Sequence, residues 1–371
     1  MTLSAMAAST QHRMARDVDA FYQHCETSSL GRSLDLLLTS FDLPALEVAL
    51  DSFYLALASK THRSTGDELR WRTVLGFVQF VTAWSGAKTK QGNASTLFKK
   101  LKVLEARYAQ LRVHRKRKPV PLRSLPASVV QAIYSITSPD SVDNPFRTQK
   151  LKWCAFIMFL MFLHLGLRRG EILTLPVDCI KEQIDERSGI KKHWISVREN
   201  YYNTNDFRYT TPSIKTASSV RQIPVGDVVA TAIKCYVENF RGKCNHTYLI
   251  SSQYGIPMSA ESVRRMFIRI SEAIPEDVIM KLKTITGKSV VTPHDLRHTC
   301  AVLRLTAMLD RGESTEMAIQ KLRVFFGWSP GSTMPIKYAR AVFESSFQRQ
   351  QDEDFDIRIN LIRKFNSGFD S

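Results

Sequence analysis

No two of the six cysteines (Cys25, Cys154, Cys179, Cys235, Cys244 and Cys300) form a Cys-x-x-Cys pair. That argues against a zinc ribbon or a thioredoxin-like motif, and for free thiols in a reducing compartment. No continuous apolar run opens the chain between Met1 and Arg16, so no signal peptide is expected. The most apolar stretch, Trp153 to Leu167, is broken by His164. It is shorter than the roughly 18 residues that span a bilayer and reads as a buried core helix. Repeats with periods of about 20–50 residues are absent, as are low-complexity blocks. Acidic residues are scarce too: 35 Asp and Glu stand against 52 Lys and Arg, for a net charge of +17. What remains is ordinary: 371 residues, 44% hydrophobic and 23% charged. This composition excludes wholesale disorder and suits two or three globular domains. The positive excess favours a polyanionic partner, nucleic acid first and an anionic membrane surface second.

Residues 1–42 are weakly patterned. From Leu43 the periodicity is helical: Leu46, Leu50, Phe53, Tyr54 and Leu57 fall on one helix face. Leu69 to Trp84 and Thr96 to Leu111 read the same way, so 43–111 is expected to be a small helical domain. Residues 112–126, RVHRKRKPVPLRSLP, hold six Lys or Arg and three Pro. Proline resists helix continuation, so the stretch reads as a basic linker, equally as a solvated loop. In either case Arg115, Lys116, Arg117 and Lys118 are candidates to lie along a phosphate backbone. Residues 127–345 form the second domain, with helices expected near 127–137, 147–166, 227–240, 260–273, 293–310, 315–326 and 332–346. Strands are expected at His193–Arg198, Val220–Val225 and Tyr248–Ser251. The fold class is therefore mainly α with a small antiparallel β-sheet (α+β), followed by a tail at 346–371.

Four segments carry candidate chemistry. In Gly166-Leu167-Arg168-Arg169-Gly170-Glu171 a long apolar helix ends at a glycine suited to the left-handed C′ position. Glu171 follows Arg168 by three residues, close enough to orient it. In Thr292-Pro293-His294-Asp295-Leu296-Arg297-His298, Thr292 suits an N-cap and Pro293 the first helical position. His294 and Arg297 then share a face of the first turn, where partial positive charge favours an anion and disfavours imidazolium. His298 reads as structural. The His-x-x-x-His spacing also admits a zinc reading, but Asp295 stands where metalloproteases have Glu, and Arg297 would sit beside the metal. The third segment is Gly327-Trp328-Ser329-Pro330 with Tyr338 behind it; the fourth is Ile214-Lys215-Thr216 feeding a strand at Val220-Arg221.

Together these segments resemble the tyrosine recombinase (phage integrase) family, over roughly 120–345 and more loosely over the preceding helical unit. The resemblance implies a two-domain DNA clamp: a helical core-binding domain, plus a catalytic domain acting without metal or nucleotide cofactor. It implies Tyr338 as the nucleophile, Arg168 and Arg297 as the catalytic arginines, and Glu171 as the acid supporting Arg168. It also implies His294 as the first histidine, Trp328 in the position held by His or Trp, Lys215 as the hairpin lysine, and Arg169 beside the DNA. Two spacings depart from the pattern. Tyr338 stands ten positions after Trp328, one more than usual, and 46 residues lie between Arg168 and Lys215, so Lys191 and Lys192 remain alternatives for the lysine. The partners implied are double-stranded DNA with specific recombination sites and a tetramer of this chain on DNA. The tail at 346–371 is a candidate for docking between subunits. A cytoplasmic, nucleoid-associated protein follows, with a mobile element as one setting. A binding protein that has lost cleavage, and strand relaxation of the type IB topoisomerase kind, are the competing readings.

Overall fold

The computed structural model describes residues 8–88 apart from 28–30 and 32, scattered positions of 99–113, and 124–343 apart from 185, 188, 199 and most of 201–216. Lys215, the basic run at Arg115–Lys118, and the tail at 346–371 lie outside the described residues. The chain divides into two compact units, Met1–Pro119 and Val120–Ser371.

The first unit packs helices Ala8–Thr27, Leu34–Thr39, Leu43–Ala58 and Thr65–Lys88. Its core gathers Phe21, Leu46, Leu50, Phe53, Leu57, Trp71, Val74, Val78 and Tyr108. Trp71 donates its indole N–H to the Leu111 carbonyl at 3.2 Å, and the Tyr108 hydroxyl reaches Asp51 at 3.0 Å. Residues 1–42, read as weakly patterned, contain helix Ala8–Thr27. Met14, Val18, Phe21, Tyr22 and Cys25 recur on it at helical spacing, and Phe21 and Cys25 are buried. The buried Asp17 adds to its hold, accepting from Arg13 at 2.7 Å and Arg70 at 3.2 Å.

The second unit is built around helix Gln149–His164, started by Thr148, whose side chain accepts from the Leu151 N–H. Cys154, Ala155 and every residue from Ile157 to Leu163 are buried. A helix apolar on all faces must be covered on all faces, and each large side chain so buried contributes roughly 1.5–3 kcal/mol. The helix ends at Gly166, which adopts φ 57° as a C′ glycine should.

The sheet has three antiparallel strands in the order β1 (Ile180–Ile184), β2 (Lys191–Val197) and β3 (Arg221–Val225). Ile195 faces Ile223 across the β2–β3 pair, and both are buried. Pro224 is tolerated because β3 is an edge strand. β1 escapes sequence patterning because all five of its residues are partly or fully exposed, without alternation. The expected strand at Tyr248–Ser251 is only a pair of isolated bridges. There Arg241 competes for the backbone, donating to the carbonyls of His246 and Tyr248, both at 2.8 Å. The helix expected over 227–240 is α-helical only to Cys235 and closes as a π-turn, Tyr236–Phe240. Helix Glu276–Thr286 was not expected, although Val278, Ile279, Leu282 and Ile285 recur on it at helical spacing; only Leu282 is fully buried. Helices Ala260–Glu272, Pro293–Asp310 and Thr315–Phe326 follow the expected bounds closely, and a last helical segment covers 334–343. No helix among the described residues is long and apolar enough to cross a membrane.

Candidate active site

Glu171 is the hub of the site, and its side chain is 1% exposed. It lies in the first turn of the short helix Arg169–Thr174. One oxygen accepts the Arg168 backbone N–H at 2.8 Å and the other the Arg168 guanidinium at 2.6 Å. Arg221 of β3 adds a fork onto the same carboxylate, 3.1 Å to each oxygen. Arg297 stands 3.9 Å away. Burial alone would raise the Glu171 carboxyl. The hydrogen bonds and charge of Arg221, the charge of Arg297 and the Arg168 N–H outweigh it and hold the group below the usual carboxylate range.

Arg297 enters from helix Pro293–Asp310. That helix begins with the expected Thr292 cap, closed reciprocally by Asp295 as a capping box. The Arg297 side chain is 4% exposed. It donates to the Gly166 carbonyl and, at 2.9 Å, to the Phe326 carbonyl. Its guanidinium carbon lies 4.8 Å from the Phe326 ring centroid and 5.9 Å from that of Trp328. Burial first, then the adjacent Arg168, lowers its pKa to about 9, with Glu171 acting against them; it is still charged at neutral pH.

Gly327 ends helix Thr315–Phe326 with φ 59°. A Cβ there would meet the Ser218 carbonyl at 2.9 Å and Arg221 at 3.0 Å, so only glycine lets the two segments come this close. Beyond it three rings stack in series: Phe326 on Trp328 at 4.7 Å, and Trp328 on Tyr338 at 5.5 Å. Tyr338 is 1% exposed. Burial, with a smaller contribution from Cys300, pushes its phenol well above the ordinary value, while the charge of Arg297 pulls the other way.

The two histidines of this helix take different places, and His294 lines the cavity described below. His298, read from sequence as structural, is hydrogen-bonded through Nδ1 to the Tyr338 hydroxyl. His294, expected at the chemistry, sits at the rim, its ring 4.1 Å from that of His298. Burial lowers both imidazoles, aided at His294 by Arg297 and at His298 by His294, and His298 falls to about 4. An unfolded imidazole titrates near 6.5, so between these values the unfolded chain binds more protons than the fold. Stability is therefore full above about pH 6.5 and lost as pH falls toward 4. His246, lowered to about 4 by burial and then by Arg241, acts in the same direction. Urea unfolding at pH 7 and pH 5 should give the lower midpoint at pH 5, and His298→Asn should narrow the difference. An equal difference in both proteins would contradict this placement of His298.

A cavity of about 650 Å³ opens onto these groups, lined among others by Arg168, Arg169, His294, Arg297, Trp328 and Tyr338. Six of the predicted residues thus border one space, and Glu171 lies behind two of them. Among the described residues no carboxylate lines the cavity, and its charge suits an anion able to take the arginine forks. Lys191 and Lys192 lie at the exposed start of β2, paired with Ile184 and Gln183. Among the described residues no three His, Cys, Asp or Glu side chains converge as a metal ion would require. Sequence reasoning missed Arg221, His298 and Ser219. The last is fully buried, and its hydroxyl accepts from Arg168 at 3.0 Å. The one signal for Arg221 was its place beside Lys215 at the start of a strand.

With that geometry established, the chain matches the phage integrase family over residues 123–345. A comparison with curated protein sequences finds no match. Among solved structures, XerH site-specific recombinase bound to difH substrate in a pre-cleavage complex shares 13% identity, over 88% of this chain and 74% of that one, with a TM-score of 0.50. XerA recombinase shares 16% identity over 92% and 98% of the two chains, with a TM-score of 0.39. A lambda integrase(75-356) dimer bound to a COC′ core site shares 14% over 90% and 89%, with a TM-score of 0.40.

Proposed function

Because the chain belongs to the phage integrase family, we propose that it recombines double-stranded DNA at specific sites, cutting and rejoining each strand through a 3′-phosphotyrosyl link. The observation that carries this reading is the convergence of Tyr338, Arg168, Arg297, His294 and Trp328 on one cationic cavity. The Tyr338 oxygen attacks the scissile phosphorus in line, and the bond to the 5′-oxygen breaks. The phenol proton passes to the imidazole in contact with it, His298, with His294 beside it. The leaving 5′-oxygen takes its proton from Lys215. Arg168 and Arg297 fork onto the non-bridging oxygens and offset the charge of the transition state. Trp328 holds the phenol by stacking. A 5′-hydroxyl of another strand reverses the step, and the energy of the phosphodiester is retained in the covalent link.

DNA follows from the family and from the charge of +17. Arg115, Lys116, Arg117, Lys118 and Arg169 are assigned to backbone contacts, which position rather than specify. Four copies would act on two sites, with residues 346–371 docking between neighbours.

A nicked suicide substrate, from which the freed strand end is lost, traps the intermediate. The unmodified protein should accumulate a DNA adduct stable to denaturation, and Tyr338→Phe should accumulate none. DNA binding without adduct by the unmodified protein would replace this reading with that of a binding protein.

A further inference from the structure

We propose that Arg221 is a positioning residue of the strand-transfer site, saturating Glu171 so that Arg168 and Arg297 keep donors for the scissile phosphate. The inference rests on the transesterification reading above and adds to it a third arginine. Arg221 does not line the cavity, and its side chain is 6% exposed. It therefore meets no substrate. Its donors are spent on protein: Nε on the Phe325 carbonyl at 2.7 Å, NH1 on the Ser219 carbonyl at 2.7 Å and on Glu171 at 3.1 Å, and NH2 on the other Glu171 oxygen at 3.1 Å.

Two consequences follow from this geometry. A buried carboxylate has about four lone-pair sites and is costly to leave unfilled. Arg221 fills two of them. Without it, the nearest replacements are Arg168, which reaches Glu171 through one nitrogen and the Gly327 carbonyl at 3.3 Å through the other, and Arg297 at 3.9 Å. Both would turn toward Glu171 and away from the cavity. Arg221 also ties three segments together: the Glu171 turn, the 217–219 turn that holds Ser219 against Arg168, and the Phe325 carbonyl two residues before Gly327. Lysine cannot reproduce this, being a point charge without the planar fork.

The test is single-turnover cleavage of the nicked substrate at saturating protein, with DNA affinity measured in parallel. Arg221→Met should cleave roughly 10²-fold more slowly, the scale of a small displacement of reacting groups. Its Kd for DNA should stay within about threefold, a change far below what loss of a backbone contact network produces. Arg221→Lys, which keeps the charge should the methionine variant fold poorly, should recover only part of the rate. Cleavage within threefold of the unmodified protein in either variant, or a parallel loss of DNA affinity, would overturn the assignment. If the unmodified protein itself forms no adduct, the transesterification reading fails while this one remains testable by NMR. The Glu171 carboxyl, held low by Arg221 and its neighbours, should titrate higher in Arg221→Met. An unmoved titration would overturn the role of Arg221.

Discussion

Arg168→Ala is expected to slow DNA cleavage by about 10²–10³-fold, the range found when one preorganised transition-state donor is removed, while leaving DNA affinity within about twofold. The separation of the two effects is the point. Most of the 52 Lys and Arg are available for backbone contacts that depend on salt and not on any single side chain. Arg168 differs from them in being held from behind, by Glu171 at 2.6 Å and Ser219 at 3.0 Å, with 27% of its side chain open. It is exposed enough to truncate without opening the core. The check is single-turnover cleavage together with a fluorescence titration of labelled DNA. A loss of affinity matching the loss of rate would mean that Arg168 belongs to the grip rather than to the chemistry.

The second large effect is on stability. Glu171→Leu keeps a side chain of similar size but removes the carboxylate that Arg168, Arg221 and Arg297 share. Breaking a buried pair by deleting one partner costs roughly 3–5 kcal/mol, because the remaining charge is left uncompensated. In a unit of this size that lowers Tm by about 10 °C. Glu171→Leu combined with Arg221→Met should regain part of the loss, since the two side chains touch and their effects cannot be additive. Thermal unfolding of the four proteins closes the cycle. Strict additivity would mean that the Glu171–Arg221 pair carries no coupling in solution.

The parts of the site legible in the sequence are those announced by local signals. Thr292-Pro293 marks a helix start, Gly166 and Gly327 mark helix ends, and each places a charged or aromatic side chain at a defined offset. Arg221 had no such marker. It is one arginine among many in a strand, and its partner is 50 residues away, so only the folded sheet brings them together. The contact of His298 with Tyr338 was not legible for a related reason. Helical spacing puts His294 and His298 on one side of the helix, but which of them reaches the phenol depends on how segment 334–343 packs against it. In the fold, helix Gln149–His164 was plain because it is apolar without a break from Trp153 to Leu163. Ala8–Thr27 was not read, although Met14, Val18, Phe21, Tyr22 and Cys25 recur on it at helical spacing. Ile180–Ile184 was hidden by exposure, which removes the alternation that reveals a strand, whereas Glu276–Thr286 does carry a helical spacing, in Val278, Ile279, Leu282 and Ile285, that went unread.

The account assigns the covalent chemistry to one oxygen, although Tyr338 stands ten residues beyond Trp328 and is 1% exposed. The most direct measurement is to trap the adduct on the nicked substrate, digest protein and DNA, and locate the nucleotide-bearing residue by tandem mass spectrometry. The account predicts a phosphotyrosine-linked nucleotide on the peptide containing Tyr338, joined through the 3′ end of the DNA. A link at any other tyrosine, or through the 5′ end, would contradict it.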